Sequence, residues 1–218
     1  MFDLIIRNGA VVDGTGAPAR RADVGIAGNR LAAIGNLAAH DAATSLDAKG
    51  NVVAPGFIDI HSHSDFTLLV DPRAQSSIAQ GVTTEVIGNC GHGCAPISHP
   101  GQVTGNIYGY LPDFPLDWTT MAGYLERLEK AGPAVNVVPL VPNGNLRLAT
   151  LGLQDRPATP DELRQMEYLL EEGLEAGAFG FSTGLEYPSE RATTEEETIC
   201  LCRVVARRGG IYTTHTRN

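Results

Sequence analysis

Five short runs rich in β-branched and apolar residues limit what the chain can fold into after Gly56. They are "FIDI" (57–60), "TTEVIGN" (83–89), "VNVVPLV" (135–141), "FGFSTG" (179–184) and "GIYTTHT" (210–216). Between them lie stretches with helical punctuation. Thr159 is placed as an N-cap, Pro160 suits the first helical position, and Glu162 completes a capping box. Leu163, Met166, Leu170 and Leu174 then share one helical face, and Gly177 can end the helix. "TTMAGYLERLEKAG" and "TEEETICLCRVVARRGG" read as two further helices, ending near Gly132 and Gly209. Strands alternating with helices in this way form a parallel sheet with crossover helices. The expected fold class is therefore α/β, a partial (β/α)8 TIM-type barrel of about five strand–helix units.

Residues 1–54 have a different rhythm of strands and tight turns, and are expected to form a small β-subdomain. A strand, a turn at Asn8-Gly9 and a second strand closed by Asp13-Gly14 open the chain. Further turns fall at Gly28-Asn29 and Lys49-Gly50, and Pro55-Gly56 marks the boundary before residues 55–218. One segment, "APISHPGQVTGNIYGYLPDFPLDW" (95–118), is a long Pro/Gly-rich connection carrying Tyr108, Tyr110, Phe114 and Trp118. It reads either as a flap packed on the domain or as a lid over a binding site.

Composition removes several classes of function. A net charge of −9 leaves no basic stripe for nucleic acid. No apolar run approaches the ~20 residues that span a bilayer, so no membrane partner is expected. The first residues carry no basic export signal, so the four cysteines are expected to be thiols or metal ligands in the cytoplasm.

In a parallel α/β barrel the chemistry gathers at the C-terminal ends of the strands. The first run ends in His61 and His63, whose alternate spacing puts both side chains on one face. The second ends in Asn89 and Cys90, the fourth in Ser182, Thr183 and Glu186, and the fifth in His215. Strand ends one, two and five thus offer His, His, Cys and His, the side chains that hold Zn2+.

"VVAPGFIDIHSHSD" resembles the amidohydrolase signature, in which Pro-Gly leads into a buried strand ending His-x-His. "GVTTEVIGNCGHGCAP", "GLEAGAFGFSTGLEYP" and "YTTHTRN" are similar, in order and spacing, to the N-acyl-D-amino acid deacylases (D-aminoacylases) of that superfamily. The resemblance runs over essentially the whole chain. It implies zinc-dependent hydrolysis of a small-molecule N-acyl-D-amino acid to a carboxylate and a free D-amino acid. By resemblance, Cys90 and His215 hold the tight zinc with a histidine from a sixth strand, and His61 and His63 form a second, weaker position. An aspartate from an eighth strand would be the general base. Neither of those two residues has a strand here to carry it, since a complete barrel takes ~250 residues and only roughly 160 follow Gly56. The expectation is an N-terminal portion of a longer enzyme, inactive alone.

Arg217 could meet the substrate carboxylate in a bidentate pair, or make a structural salt bridge. His92 and Cys94 are read as shaping the loop, Cys200 and Cys202 as helix thiols, and His40 and His99 as solvated loop residues. Asn143 stands where relatives often carry a histidine. Two alternatives remain open: a cyclic-amide hydrolase of the dihydroorotase or hydantoinase type, and a non-catalytic metal-binding module. The first relies in many relatives on a carbamylated lysine at the fourth strand end. The only lysines here are Lys49 and Lys130, neither at a strand end.

Overall fold

The computed structural model describes residues 1–98 and 100–217, so the expectation for His99 lies outside the described residues. The chain divides into two compact units, Met1–Gly56 and Phe57–Asn218.

The first unit is built on β1 (Phe2–Val11), β2 (Arg20–Ala27), β3 (Arg30–Gly35), β4 (Ala42–Asp47) and β5 (Val52–Val53). The sheet order is β3-β2-β1-β4, with β5 also on β1. β1 pairs antiparallel with β2 and parallel with β4 and β5. The turn expected at Asn8-Gly9 is not one. β1 runs straight through it, and the register with β2 slips between Ile6 and Gly9. Asn8 takes φ 58°, and its side chain donates to Asp47 at 2.9 Å, so the pair Asn-Gly makes a bulge within a strand. The turns at Gly28-Asn29 and Lys49-Gly50 do form, the second with φ 51° and 80°.

The second unit holds β6 (Phe57–Asp59), β7 (Val82–Ile87), β8 (Asn136–Pro142), β9 (Gly180–Thr183) and β10 (Ile211–Thr214). These five strands pair in parallel, in the order β10-β9-β8-β7-β6, and curl into a half-barrel. The helices are α1 (Thr67–Val70), α2 (Gln75–Ile78), α3 (Pro100–Val103), α4 (Met121–Ala131), α5 (Asn143–Thr150), α6 (Pro160–Glu175) and α7 (Glu195–Arg207). Among the described residues, no helix is long and apolar enough to cross a membrane.

The three long helices begin on side-chain caps. Thr120 accepts from the Gly123 amide at 3.1 Å and Thr194 from the Glu197 amide at 3.2 Å. Thr159 and Glu162 form the full capping box. α7 also places three glutamates in its first turn and Arg207 in its last, matching the helix dipole at both ends. On α6, Met166 and Leu170 are fully buried, while Leu163 and Leu174 pack at the margin of the same cluster with Val141, Phe181, Leu201 and Val204. α5 was not expected: "NGNLRLAT" gives no apolar stripe, and its buried face includes Asn143, Asn145 and Arg147. β6 also departs from the buried strand expected. Phe57 and Ile58 are 66% and 62% exposed, and β6 pairs only with β7 among the described residues.

The Arg147 guanidinium and the Glu197 carboxylate pair at 2.7 Å with both side chains almost wholly buried. Arg147 also donates to the carbonyls of Ser189 and Arg156, and Glu197 accepts from the Ala158 amide. α5, α7 and the loops between them are tied at this point.

The helical face on α6 yields a direct test. Leu170→Ala should destabilise the protein by about 2–5 kcal/mol. Tyr168→Ala, at a position 68% exposed, should stay within about 0.5 kcal/mol. Urea unfolding of both variants measures this, and equal losses would contradict the assigned face.

Candidate metal centre

The site is assembled where β7 ends. Gly88 takes φ 76°, and a Cβ there would run into the Leu140 carbonyl. Cys90 itself is left-handed at φ 57° and ψ 27°, a conformation costly for any side chain but Asn, Asp or Gly. The chain therefore reverses at once, and the thiol turns back over the strand ends.

A polar frame holds this reversal. Ser182, at the end of β9, accepts from the Gly91 amide at 3.0 Å and donates to the Gly88 carbonyl. Asn106 donates to the Gly91 carbonyl and to Asn145 Oδ1, at 3.0 and 2.7 Å. Asn145 in turn donates to the carbonyls of Gly93 and Pro96. His92 donates from Nδ1 to the Cys90 carbonyl at 2.8 Å, so it shapes the loop. Beneath Gly91 lies Glu190, fully buried, whose Oε2 accepts from Asn143 at 2.8 Å and from the Gly184 amide at 3.0 Å. Asn143 also donates to Thr193, which gives it a place in the frame. Burial pushes the Glu190 carboxyl up to about 7.

Around the thiol stand the three expected histidines. His61 Nε2 lies 3.2 Å from Cys90 Sγ and His215 Nδ1 lies 3.4 Å from it, so the sulfur faces both. The ligand atoms of His61, His63 and Cys90 all fall within 4.8 Å of one another. The resemblance implies one cavity for Cys90, His215, His61 and His63, and in the fold the thiol stands against His61 and His215. The other His215 nitrogen, Nε2, meets Glu186 at 2.9 Å, which orients the ring with Nδ1 toward the sulfur.

Two observations fit this group to a metal ion. His63 Nδ1 is buried with no hydrogen-bond partner. Burial, then the neighbouring His61, His92 and His215, lowers the His63 pKa and favours the neutral imidazole that ligates metals. The Cys90 thiol is pushed up by burial and by Glu190, an effect that a nearby cation opposes.

Aromatic rings wall the group. Tyr108 lies 4.5 Å from His63 and 5.0 Å from His92, and Tyr187 lies 4.4 Å from His92. The Tyr187 hydroxyl reaches His215 Nδ1 at 3.3 Å, and burial with Tyr108 pushes its pKa up to about 12. The long 95–118 segment thus divides its roles. Tyr108 borders the histidines, whereas Tyr110 and Phe114 pack on Phe66, and Trp118 donates to the Cys94 carbonyl. Arg217 is exposed, just past His215, and His40 is exposed. Cys200 and Cys202 lie in α7, away from this constellation. The residues that sequence reasoning missed are Asn106, Asn145, Glu190 and Tyr187. Glu186 and Ser182 were visible as strand-end residues, but their partners were not.

Comparison with known proteins follows from this geometry. Residues 45–214 match the family described as the amidohydrolase family. The N-acyl-D-glutamate deacylase of Alcaligenes xylosoxydans xylosoxydans is 47% identical over 219 residues, covering 100% of this chain and 44% of that protein. The D-aminoacylase of the same organism is 42% identical over 226 residues, covering 100% and 45%. A crystal structure of N-acyl-D-glutamate deacylase from Bordetella bronchiseptica, complexed with zinc and a phosphonate mimic of the tetrahedral intermediate, superposes with a TM-score of 0.91. It is 41% identical, covering 100% of this chain and 45% of that one. The chain spans a little under half the length of these relatives.

The buried Glu190 predicts a pH signature. Its folded pKa lies above the ordinary carboxylate value, so its stabilising contribution is complete below about 4.5 and is lost as pH rises through about 7. Relative to Glu190→Gln, the wild type should lose roughly 3 kcal/mol across that window. Thermal unfolding of both proteins at a series of pH values would show converging curves in acid. Parallel curves would mean that Glu190 is ionised throughout.

Proposed function

The chain belongs to the amidohydrolase family, and from that premise we propose that it carries the metal-holding strand ends of a zinc-dependent deacylase. The substrates are N-acyl-D-amino acids, and the products are a carboxylate and a free D-amino acid. The observation that carries the reading is the Cys90 thiol, turned by a left-handed backbone to face His61 and His215 at 3.2 and 3.4 Å. The identity to N-acyl-D-glutamate deacylase and D-aminoacylase over the entire chain supports it. So do the zinc in the Bordetella enzyme and the binuclear metal centre described for D-aminoacylase.

In this reading Cys90 and His215 would hold one zinc, and His61 with His63 would offer a second position. A zinc ion supplies Lewis acidity, polarising an amide carbonyl and acidifying water. Glu186 keeps Nδ1 of His215 turned inward by engaging Nε2. Tyr108, His92 and Tyr187 form an aromatic wall beside His63 and His215, while His61 stands exposed. Arg217, exposed beyond β10, would pair with the substrate carboxylate. The four cysteines are free thiols, which suits the cytoplasm. A cyclic-amide hydrolase is less well supported, since Lys130 ends α4 and Lys49 sits in a turn of the first unit.

The whole protein, loaded with zinc, should release free amino acid from N-acetyl-D-amino acids at least about tenfold faster than from the L-enantiomers. Turnover of hydantoins or dihydroorotate without turnover of these amides would reject the deacylase reading. Cys90→Ala should lose both activity and the zinc that survives dialysis. Cys200→Ala and Cys202→Ala should keep both, at a stability cost of at most ~1 kcal/mol. Retention of zinc by Cys90→Ala would remove the thiol from the ligand set.

A further inference from the structure

The segment that presents the two histidines reads His61-Ser62-His63-Ser64. Its extended alternation sends the imidazoles to one side and the hydroxyls to the other. On the hydroxyl side lies Glu85 of β7, a carboxylate only 2% exposed. Glu85 Oε2 accepts from the Ser64 hydroxyl and stands 3.4 Å from that of Ser62. The two serines also bond each other, at 2.9 Å, and the Ser64 amide donates to Ser62 Oγ at 3.2 Å. The second carboxylate oxygen accepts from Ser77 of α2. Along the backbone the Ser62 amide donates to the Val86 carbonyl at 3.0 Å, and Asp59 is in register with Glu85.

We infer that Glu85 is a positioning residue, which sets His61 and His63 through the serines between and after them. The need for it comes from β6. That strand is three residues long, and its ladder with β7 ends at Asp59, two residues before His61. Beyond that point, one backbone hydrogen bond to Val86 and the two serine hydroxyls are what hold the segment to β7. A rotation of the segment about its own axis would swing the hydroxyls off Glu85 and the imidazoles off Cys90 together. A buried carboxylate held on its other oxygen by Ser77 resists that rotation, because turning the segment breaks its bond to the Ser64 hydroxyl. On the metal-facing side His61 meets the Cys90 sulfur at 3.2 Å, while His63 Nδ1 has no hydrogen-bond partner.

The inference rests on the metal reading only for its second readout. In metal-free protein labelled on histidine, Glu85→Ala should shift or broaden the ring resonances of His61 and His63 and leave those of His40 and His215 in place. Glu85→Gln, which can still accept from the serines and donate to Ser77, should restore them. The double variant Ser62→Ala/Ser64→Ala should reproduce the Glu85→Ala pattern with the carboxylate retained. On titration with cobalt(II), Glu85→Ala should bind its second cation at least about tenfold more weakly than wild type, with the first cation held within about twofold. A wild type that takes a single cation would count against the second metal position, and the metal-free resonances would then decide the role of Glu85. Folded Glu85→Ala and double-serine variants with unaltered His61 and His63 resonances would overturn the proposal.

Discussion

A thiol can face imidazoles from two directions only if the chain reverses within a residue or two of leaving its strand. That reversal, at Gly88, Cys90 and Gly91, is the constraint on which the rest of the second unit depends. It puts a non-glycine residue in left-handed backbone and turns polar main-chain groups inward, where each needs a partner. Ser182 of β9, Asn106 of a short 3-10 turn and Asn145 of α5 supply those partners. β8 and β9 lie beside the reversal, and α5 packs over it. Without that surrounding frame the local conformation would relax, and the sulfur would leave the histidines.

Much of the architecture was legible in the sequence because it rests on local chemistry. β-branched runs mark strands, Thr159 with Glu162 marks a helix start, and strand-end position marks His61, His63, Cys90 and His215. What escaped was decided by distant partners. Asn8-Gly9 has the composition of a hairpin turn, yet pairing on both sides of β1 makes it a bulge. α5 is helical although its inward face is amide and guanidinium rather than aliphatic, since the side-chain nitrogens of Asn143, Asn145 and Arg147 each find a specific acceptor. Glu190 is one carboxylate among many in the sequence. Its function as a floor beneath Gly91 needs the coordinates of a loop a hundred residues earlier.

The candidate centre also shows how work divides between the two faces of a strand. Toward the thiol, the side chains are left with open valences: a ring nitrogen without a partner and a sulfur between two imidazoles. Toward the body of the unit, most hydroxyls, amides and carboxylates are paired, with Asn143 Oδ1 and Glu190 Oε1 left over. The unpartnered His63 nitrogen thus lies on the side where a ligand could meet it, and the hydrogen-bonded frame lies on the side away from it.

The buried pair of Arg147 and Glu197 has a consequence for the history of such a chain. Losing either partner alone strands a charge in a dry interior, at about 3–5 kcal/mol, a large part of a typical domain's stability. Losing both still abandons the Ser189 and Arg156 carbonyls and the Ala158 amide, which the pair now serves. No single step leads away from this arrangement without a deep loss, and the two-step route needs new partners for three backbone groups. The two positions should therefore be inherited as one character, persisting together through lineages in which the surface around them has changed freely.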